Sequence, residues 1–407
     1  MTFSASHRLR PVLRHLALAA GCLPLVAACQ PNVVRIEGPT MGSKYHITWV
    51  ADRGTPDPKA VQAAIQTRLN ELDLAISTYR DDSALSRFNA APAGTCQTMP
   101  TMALELARAA QKLAADSDGA FDVTLMPVLD YWKFGPKAAR ARAALEKNQR
   151  HDGLTVAQLL AQDAPSGKDV PASKDGHAPA SGAASEAGSA PAATTHDKTI
   201  RALADTPELA ALRAQTGMQH LRIEGERLCK DAPITLEFNS IAAGYIIDRI
   251  AADFAAQGIR NYLVEVTGEI RAGGHKPGNI PWRIAIEAPV DDQVQAERFI
   301  ELRDTAISTS GDYRNYREEN GRRYSHLIDP RTMAPITHHL AAATVVTDSA
   351  QDADGLSTLL MVLGPDKGHD YAVRHDLAAV LVTRTADGFV PRTTPAFDRR
   401  FPVFSKK

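Results

Sequence analysis

The chain has 407 residues, of which 44% are hydrophobic and 23% are charged, and this composition is typical of a soluble globular protein. Its formal net charge of −1 excludes a generic basic nucleic-acid-binding protein, so we expect no nucleic-acid partner. Beyond the first 28 residues, no run reaches the roughly 18 apolar residues that a membrane-spanning helix needs.

The N-terminus has the pattern of an export signal. Three arginines precede a short apolar run that ends at Ala28, and this run predicts a signal peptide over residues 1–28. Small residues stand just before Cys29, as in a bacterial lipobox, so we expect a lipoprotein whose lipidated Cys29 is followed by a linker over 29–37. Such an anchor places the protein on the periplasmic side of the bacterial cell membrane, with the inner membrane favoured. A plain signal peptide with an incidental cysteine is the alternative.

Helical and strand-like segments alternate along the rest of the chain. Apolar residues recur at helical spacing in four segments, and β-branched or aromatic residues concentrate in six shorter runs. This order predicts a mixed α+β fold. The predicted helices run from Asp57-Pro58 through Ile76, from 101 to about 115, from a cap at Asn239 or Ser240 to Gly258, and from Ser349 to Gly364, and the predicted strands cover 44–50, 261–267, 282–287, 299–303, 342–347 and 378–383.

One internal segment has a composition that does not favour folding. Between residues 164 and 197, 23 of 34 residues are Ala, Ser, Gly or Pro. Such a segment buries too little apolar surface to offset the entropy lost on ordering it. We therefore predict an insertion over 138–200 that is disordered around 164–197, within a single catalytic unit formed by 38–137 and 201–407.

The pair Asp354 and Thr358 is the strongest candidate for a metal site. The two residues are four apart on a predicted helix and therefore share a face. Their carboxylate and hydroxyl oxygens suit a hard cation such as Mg²⁺ and not zinc. A solvated acidic first turn explains the same spacing, and on spacing alone that explanation is favoured.

Other polar features are weaker signals. Cys96 and Cys229 could pair in an oxidising compartment, but the sequence does not decide this. A single histidine with no catalytic partner nearby in the sequence, such as His326, is more often structural than catalytic. The small polar residues Thr309-Ser310-Gly311 are best interpreted as a turn. The sequence lacks the Walker A and GxGxxG motifs, which argues against the common phosphate-binding loops of nucleotide-binding proteins. It also lacks GxSxG, which argues against a serine hydrolase.

Taken together, seven strings resemble the ApbE family, the FAD:protein FMN transferases of the bacterial periplasm. They occur in the family's order from Met41 to about Gly364, with the insertion as the main exception. The strings are TMGS at 40–43, TYRDDSALSRFN at 78–89, GAFDVTLMPVLDYW at 119–132, EFNSIAAGY at 237–245, STSGDYRNY at 308–316, YSHLIDPRT at 324–332 and DADGLSTLLMVLG at 352–364.

The resemblance implies an ApbE-like, T-fold-related α+β fold and a Mg²⁺-dependent transferase. Such an enzyme cleaves FAD, attaches FMN to a threonine hydroxyl of a target protein and releases AMP. The implied targets are flavoprotein subunits of sodium-pumping NADH:quinone reductases or electron-bifurcating membrane oxidoreductases. The alternatives are a Mg²⁺-dependent FAD pyrophosphatase that passes FMN to water, and a non-catalytic periplasmic FAD-binding lipoprotein.

The resemblance also assigns residues. It implies that Asp354 and Thr358 ligate Mg²⁺ through their side chains and Ser240 through its backbone carbonyl. His326, beside a flavin-contacting residue, is our candidate general base. The residues that line the FAD site by motif position are Met41, Tyr79, Ala120, Phe121, Asp122, Glu237 and Ile328.

The chain departs from the family's pattern at three positions. Ala243 stands in the cofactor-binding region at a position where the family often has Lys, and the loss of this lysine is expected to weaken FAD binding. Thr267 and Met333 replace residues that are often glycine, so we expect the local backbone conformation to differ there.

Overall fold

A computed structural model describes residues 32–51, 54–136, 138, 206–287, 289, 296–313, 315–319 and 322–402. Cys29, the predicted signal peptide and the predicted disordered stretch over 164–197 lie outside the described residues. Within the described ranges, no helix combines the length and the apolar character needed to cross a bilayer.

The described chain contains both strands and helices, and ten strands follow one another between the helix that ends at Ala256 and the helix that begins at Ala350. The strands are β1 (Asn32–Thr40), β2 (Ser43–Ala51), β3 (Cys96–Thr98), β4 (Leu221–Glu224), β5 (Arg227–Lys230), β6 (Tyr262–Val266), β7 (Glu269–Gly273), β8 (Trp282–Glu287), β9 (Ala296–Leu302), β10 (Thr305–Gly311), β11 (Tyr316–Glu319), β12 (Arg322–Ser325), β13 (Ile328–Asp329), β14 (Ala334–Pro335), β15 (Leu340–Thr347), β16 (Ala378–Thr385) and β17 (Gly388–Thr393). The helices are α1 (Pro58–Ile76), α2 (Ala84–Ala90), α3 (Thr101–Asp116), α4 (Met126–Tyr131), α5 (Pro207–Arg213), α6 (Ala242–Ala256), α7 (Ala350–Leu363), α8 (Pro365–Arg374) and α9 (Pro395–Arg400).

An eight-stranded antiparallel sheet organises these elements in the order β1-β2-β6-β7-β10-β15-β16-β17. On β2, Tyr45, Ile47 and Trp49 point to one face because side chains alternate along a strand, and all three are buried. They belong to a core that also takes in the apolar faces of α1, α3, α6 and α7. A second core on the sheet includes Trp282 of β8 and Phe397 of α9, so both faces of the sheet are covered. The predicted mixed α+β fold is confirmed.

Local capping signals place two helices correctly. Asp57 accepts the N–H groups of Lys59 and Ala60 at the start of α1, and Ser349 accepts the N–H of Asp352 at the start of α7. The predicted start of α6 is wrong. The helix begins at Ala242, after a turn in which the Phe238 carbonyl accepts the N–H groups of both Ile241 and Ala242. The predicted caps, Asn239 and Ser240, therefore remain in the turn.

The first strand begins earlier than the sequence indicates. β1 starts at Asn32 and pairs with β2 over its nine residues, so the predicted linker over 29–37 is strand from residue 32 onwards. Gly38 and Pro39 interrupt the apolar alternation that identifies a strand, which explains why the pattern was missed.

A disulfide resolves the cysteine pairing that the sequence left open. Cys96 on β3 and Cys229 on β5 face each other across an antiparallel pair, with their Cα atoms 4.0 Å apart. Glu224 lies beside these two sulfur atoms, but sulfurs that are bonded to each other are not available as metal ligands.

Candidate functional site

One cleft of about 460 Å³ brings together most of the site residues suggested by the sequence. Seven stretches of the described chain line the cleft, and they include residues of β10, of α7 and of the turn before α6. The predicted residues that line it are Tyr79, Ala120, Phe121, Asp122, Glu237, Ser240, His326, Ile328, Asp354 and Thr358.

The position of Asp354 depends on close contact between α6 and α7. Its Oδ2 accepts the N–H of Gly244 at 3.0 Å, in the first turn of α6, where backbone N–H groups lack partners within the helix. A Cβ at Gly244 would lie 2.2 Å from the carbonyl oxygen of Ala350, and one at Gly355 would lie 2.5 Å from Cδ1 of Leu113. Gly244 therefore allows α6 and α7 to approach closely enough for the carboxylate to reach α6, and Gly355 allows Leu113 of α3 to pack against α7.

Asp248 of α6 fixes the N-terminus of α7 against the same helix. Its carboxylate accepts the hydroxyl of Ser349 at 2.9 Å and the N–H groups of Ala350 and Gln351 at 3.0 and 3.1 Å. Arg271 of β7 also donates to this carboxylate, at 2.6 Å. Sequence reasoning missed Asp248, because its partners in α7 lie 101 to 103 residues away and no local pattern connects them.

A chain of hydroxyl groups holds Thr358. The Ser310 hydroxyl lies 3.0 Å from that of Thr358 and 2.8 Å from that of Ser357, which is in turn 3.2 Å from the Ser308 hydroxyl. Ser308 and Ser310 point to the same side of β10 because they are two residues apart on a strand. The interpretation of Thr309-Ser310-Gly311 as a turn is therefore wrong: these residues are in β10, and Ser310 lines the cleft.

Four carboxyl groups give the cleft its electrostatic character. Burial raises the pKa of Asp122 and Glu237, in the latter case to about 7. Burial also raises the pKa of Asp354 well above its ordinary value, and the nearby charge of Glu269 adds to this effect. Among the lining residues that the structure describes, none is Lys or Arg. The cleft therefore favours a bound cation over additional negative charge.

Glu269 is a lining residue that the sequence did not identify. Burial raises its pKa, and its Oε2 accepts the hydroxyl of Thr267 at 2.7 Å. The residue starts β7, directly after the turn that contains Thr267 and Gly268. A Gly-Glu pair after a predicted strand was the only local signal, and it fits an ordinary turn equally well.

His326 presents one nitrogen to the cleft. Its Nδ1 lies 2.7 Å from the carbonyl oxygen of Asn315, and because a carbonyl only accepts, Nδ1 carries the hydrogen. Nε2 therefore holds the lone pair. Burial lowers the pKa of His326, so the ring is neutral at pH 7. Such a nitrogen can accept a proton from a hydroxyl group.

Two of the predicted FAD-site residues lie outside this cleft. Met41 lines an adjoining groove of about 780 Å³, which shares Tyr79 and Asn239 with the cleft. Ala243 is buried in the first turn of α6 and does not contribute to the cleft wall. Cys29 is outside the described residues.

The two substituted glycine positions keep a glycine-like backbone. Thr267 has φ 57° and Met333 has φ 61°, and both angles fall in the left-handed region that residues other than glycine rarely adopt. Both residues therefore adopt a backbone conformation that suits glycine. Thr267 is held by its hydrogen bond to Glu269, and Met333 is buried beside Trp132, whose indole N–H donates to the Met333 carbonyl at 2.9 Å.

Comparison with known proteins gives consistent matches along almost the whole chain. A sequence profile of the ApbE family matches residues 41–176 and 179–381. The chain is 35% identical over 397 residues to an FAD:protein FMN transferase from Vibrio cholerae, covering 97% of this chain and 100% of the relative. A relative of the same name from Haemophilus influenzae is 33% identical over 386 residues, covering 92% and 94%. The apo crystal structure of the flavinyl transferase ApbE from Pseudomonas stutzeri superposes with a TM-score of 0.72 at 42% identity, covering 92% of this chain and 99% of that one.

Proposed function

The chain belongs to the ApbE family and is a flavin transferase, and we propose that it transfers FMN from FAD to a threonine hydroxyl of a target protein in a Mg²⁺-dependent reaction that releases AMP. One observation carries this proposal. Asp354 and Thr358, whose side-chain oxygens suit a hard cation, line the same cleft as His326, whose Nε2 holds a lone pair that can accept a proton.

The donor chemistry of the cleft fits a hard cation. Asp354 supplies a buried carboxylate and Thr358 a hydroxyl, and the ligands are oxygens throughout. The raised pKa of Asp354 reflects the unfavourable burial of negative charge, which a cation would relieve. Mg²⁺ would be held by Asp354, Thr358 and the backbone carbonyl of Ser240, and it would neutralise charge on the pyrophosphate oxygens.

The remaining lining residues bind and orient FAD. Phe121 and Ile328 are almost fully buried and supply apolar wall, while Asp122 and Glu237 supply polar atoms at fixed positions. The Asp122 carboxylate is fixed by the N–H and hydroxyl of Thr124, both at 2.7 Å. Such positioning accounts for much of the rate in phosphoryl transfer, because the attacking hydroxyl must lie in line with the leaving group.

His326 acts on the acceptor threonine. Nε2 takes the proton of the hydroxyl as its oxygen bonds to the phosphorus of the FMN half. The bond between that phosphorus and the bridging oxygen breaks, and AMP leaves with that oxygen. Asn315 keeps the ring in the tautomer that this step requires, because its carbonyl holds the hydrogen on Nδ1.

A fluorescence assay on denaturing gels tests the proposal. The mature protein is mixed with FAD, Mg²⁺ and a candidate flavoprotein subunit, and AMP release is followed in parallel. A covalently fluorescent target band that requires Mg²⁺, with one AMP per FMN transferred, is the expected result. AMP and free FMN without a band, for every target offered, would indicate a pyrophosphatase, and FAD binding without AMP would indicate a flavin-binding lipoprotein.

We further propose that the enzyme works on the periplasmic side of the cell membrane, anchored through Cys29. The Cys96–Cys229 disulfide supports an oxidising compartment, since such bonds are rare in the cytosol. This location suits targets among the subunits of sodium-pumping or electron-bifurcating membrane oxidoreductases. Cys29→Ser should move the protein from the membrane fraction to the soluble fraction, and an unchanged distribution would contradict the anchor.

A further inference from the structure

Helix α2 does not line the cleft, yet it contacts two segments that do. Its N-terminal end holds the turn before Tyr79, because the Ser83 and Ser86 hydroxyls both donate to the Ser77 carbonyl, at 2.6 and 3.0 Å. Tyr79 lines the cleft, whereas no residue of α2 does. The C-terminal end of α2 carries Asn89, which reaches a different part of the chain.

Asn89 pairs with the backbone of Leu236 through both ends of its side-chain amide. Nδ2 donates to the Leu236 carbonyl at 2.9 Å, and Oδ1 accepts the Leu236 N–H at 2.8 Å. The next residue is Glu237, whose N–H donates to the Val123 carbonyl at 2.8 Å. The Asn89 amide therefore gives the Leu236 N–H and carbonyl the two hydrogen bonds that a neighbouring β-strand would give them.

Lys230 joins the same two segments. Its Nζ donates to the carbonyls of Asn89 and Ile234, both at 3.1 Å, and its side chain is buried with the Phe88 ring 4.9 Å away. The end of α2 is thus hydrogen-bonded to the segment before Glu237 in two ways, directly through the Asn89 side chain and indirectly through Lys230. Because Glu237 follows directly, its distance from the Tyr79 turn is set by α2.

We propose that Asn89 is a positioning residue that holds Glu237 at the cleft wall and thereby sets the affinity for FAD. The inference rests on the proposed function in one respect, namely that Glu237 contributes to the FAD site. In the free protein, the amide pairing orders the segment from Ile234 to Asn239 before any ligand binds.

A double-mutant cycle tests the role in FAD binding. The dissociation constant for FAD is measured by flavin fluorescence quenching, with Mg²⁺ present, for the wild type, Asn89→Ala, Glu237→Gln and the double variant. Asn89→Ala should weaken binding about tenfold, the value of one to two lost hydrogen bonds. The double variant should bind within about twofold of Glu237→Gln, because Asn89 acts through Glu237. Independent losses that multiply would overturn the proposal.

Two further variants separate positioning from general stability. Thr394→Ala removes a hydroxyl that likewise joins two backbone groups, since it donates to the Leu377 carbonyl at 2.7 Å and accepts the Ala379 N–H at 3.0 Å, and none of these three residues lines the cleft. It should lower the melting temperature but leave FAD affinity unchanged. Asn89→Asp keeps the side-chain size but loses the donor to the Leu236 carbonyl, so it should weaken FAD binding even if Asn89→Ala does not fold.

Amide hydrogen exchange on the FAD-free protein distinguishes failure of this inference from failure of the proposed function. Asn89→Ala or Asn89→Asp should exchange faster at residues 234–239 than the wild type, while Thr394→Ala should not. If the wild type does not bind FAD, the proposed function fails and the exchange result alone judges the positioning role. Unchanged exchange at 234–239 would overturn it.

Discussion

The backbone N–H of Gly244, in the first turn of α6, donates a 3.0 Å hydrogen bond to Oδ2 of Asp354 in α7. This contact ties the carboxylate to the positive end of a helix dipole and leaves its other oxygen for a ligand. The two helices thus share one acidic side chain, and the geometry of the cleft depends on how they cross.

Asp354 is expected to be essential for metal binding. Asp354→Asn keeps the shape of the side chain but removes the negative charge that a hard cation requires. We expect Mg²⁺-dependent AMP release to fall by about a hundredfold or more, since a metal contributes several kcal/mol to such reactions. Calorimetric titration with Mg²⁺ gives an independent readout. Asp352→Asn, an exposed residue on the same helix, is the control and should retain activity.

Asp248 should matter through the helix that it holds. Asp248→Asn weakens the acceptor for the Ser349 hydroxyl and the α7 N–H groups, so we expect a loss of about 2 kcal/mol in the free energy of unfolding. Mg²⁺ affinity should fall as well, because α7 carries the proposed ligands. Asp253 lies on the same helix as Asp248 and forms a surface ion pair with Arg68 of α1, so Asp253→Asn should cost under about 1 kcal/mol. Equal effects of the two variants would contradict the assigned role.

Glu237 should make stability depend on pH. Its folded-state pKa of about 7 lies above the ordinary value of 4.5, so the folded protein favours the protonated form. The free energy of unfolding should therefore be highest below pH 4.5 with respect to this group, and decline by up to about 3 kcal/mol as the pH rises to 7. Urea denaturation of the metal-free protein measures this decline. Glu237→Gln should flatten it, whereas Glu208→Gln, an exposed control, should leave it in place.

His326 should affect the transfer step more than FAD binding. His326→Gln removes the proton acceptor, so we expect kcat to fall by about a hundredfold or more with little change in the FAD dissociation constant. In the wild type, burial lowers the pKa of His326, and the loss of activity in acid should therefore occur below pH 6.5. His339→Gln, at an exposed position, is the matched control. A large loss of FAD affinity in His326→Gln would indicate a binding role instead.

Local signals predicted the local parts of this fold. The caps at Asp57 and Ser349 act on N–H groups two or three residues away, so the sequence beside them is sufficient. The start of α6 could not be found in this way, because Asn239 and Ser240 are good capping residues in a turn fixed by the Phe238 carbonyl. Capping preference alone does not distinguish a turn from a helix start.

The candidate site shows the same division. Asp354 and Thr358 share a helical face within one short string, but this spacing also fits a solvated acidic first turn, and the resemblance of the string to the ApbE family is what favours a metal site. Glu269, by contrast, gains its raised pKa from burial in the assembled cleft, a property that no string of neighbouring residues encodes. The pairing of Asn89 with Leu236 spans 147 residues and required the three-dimensional structure.

The disulfide between Cys96 and Cys229 has a consequence for the integrity of the molecule. The bond spans 133 residues of sequence and links the chain on the two sides of residues 139–205. A protease that cuts a peptide bond anywhere in that interval leaves one covalent molecule, which migrates as a single band until a reductant separates it into two fragments. The part of the chain that begins at β1 stays attached to the part that carries Asp354, so a nicked molecule keeps α7 covalently joined to β1 and β2.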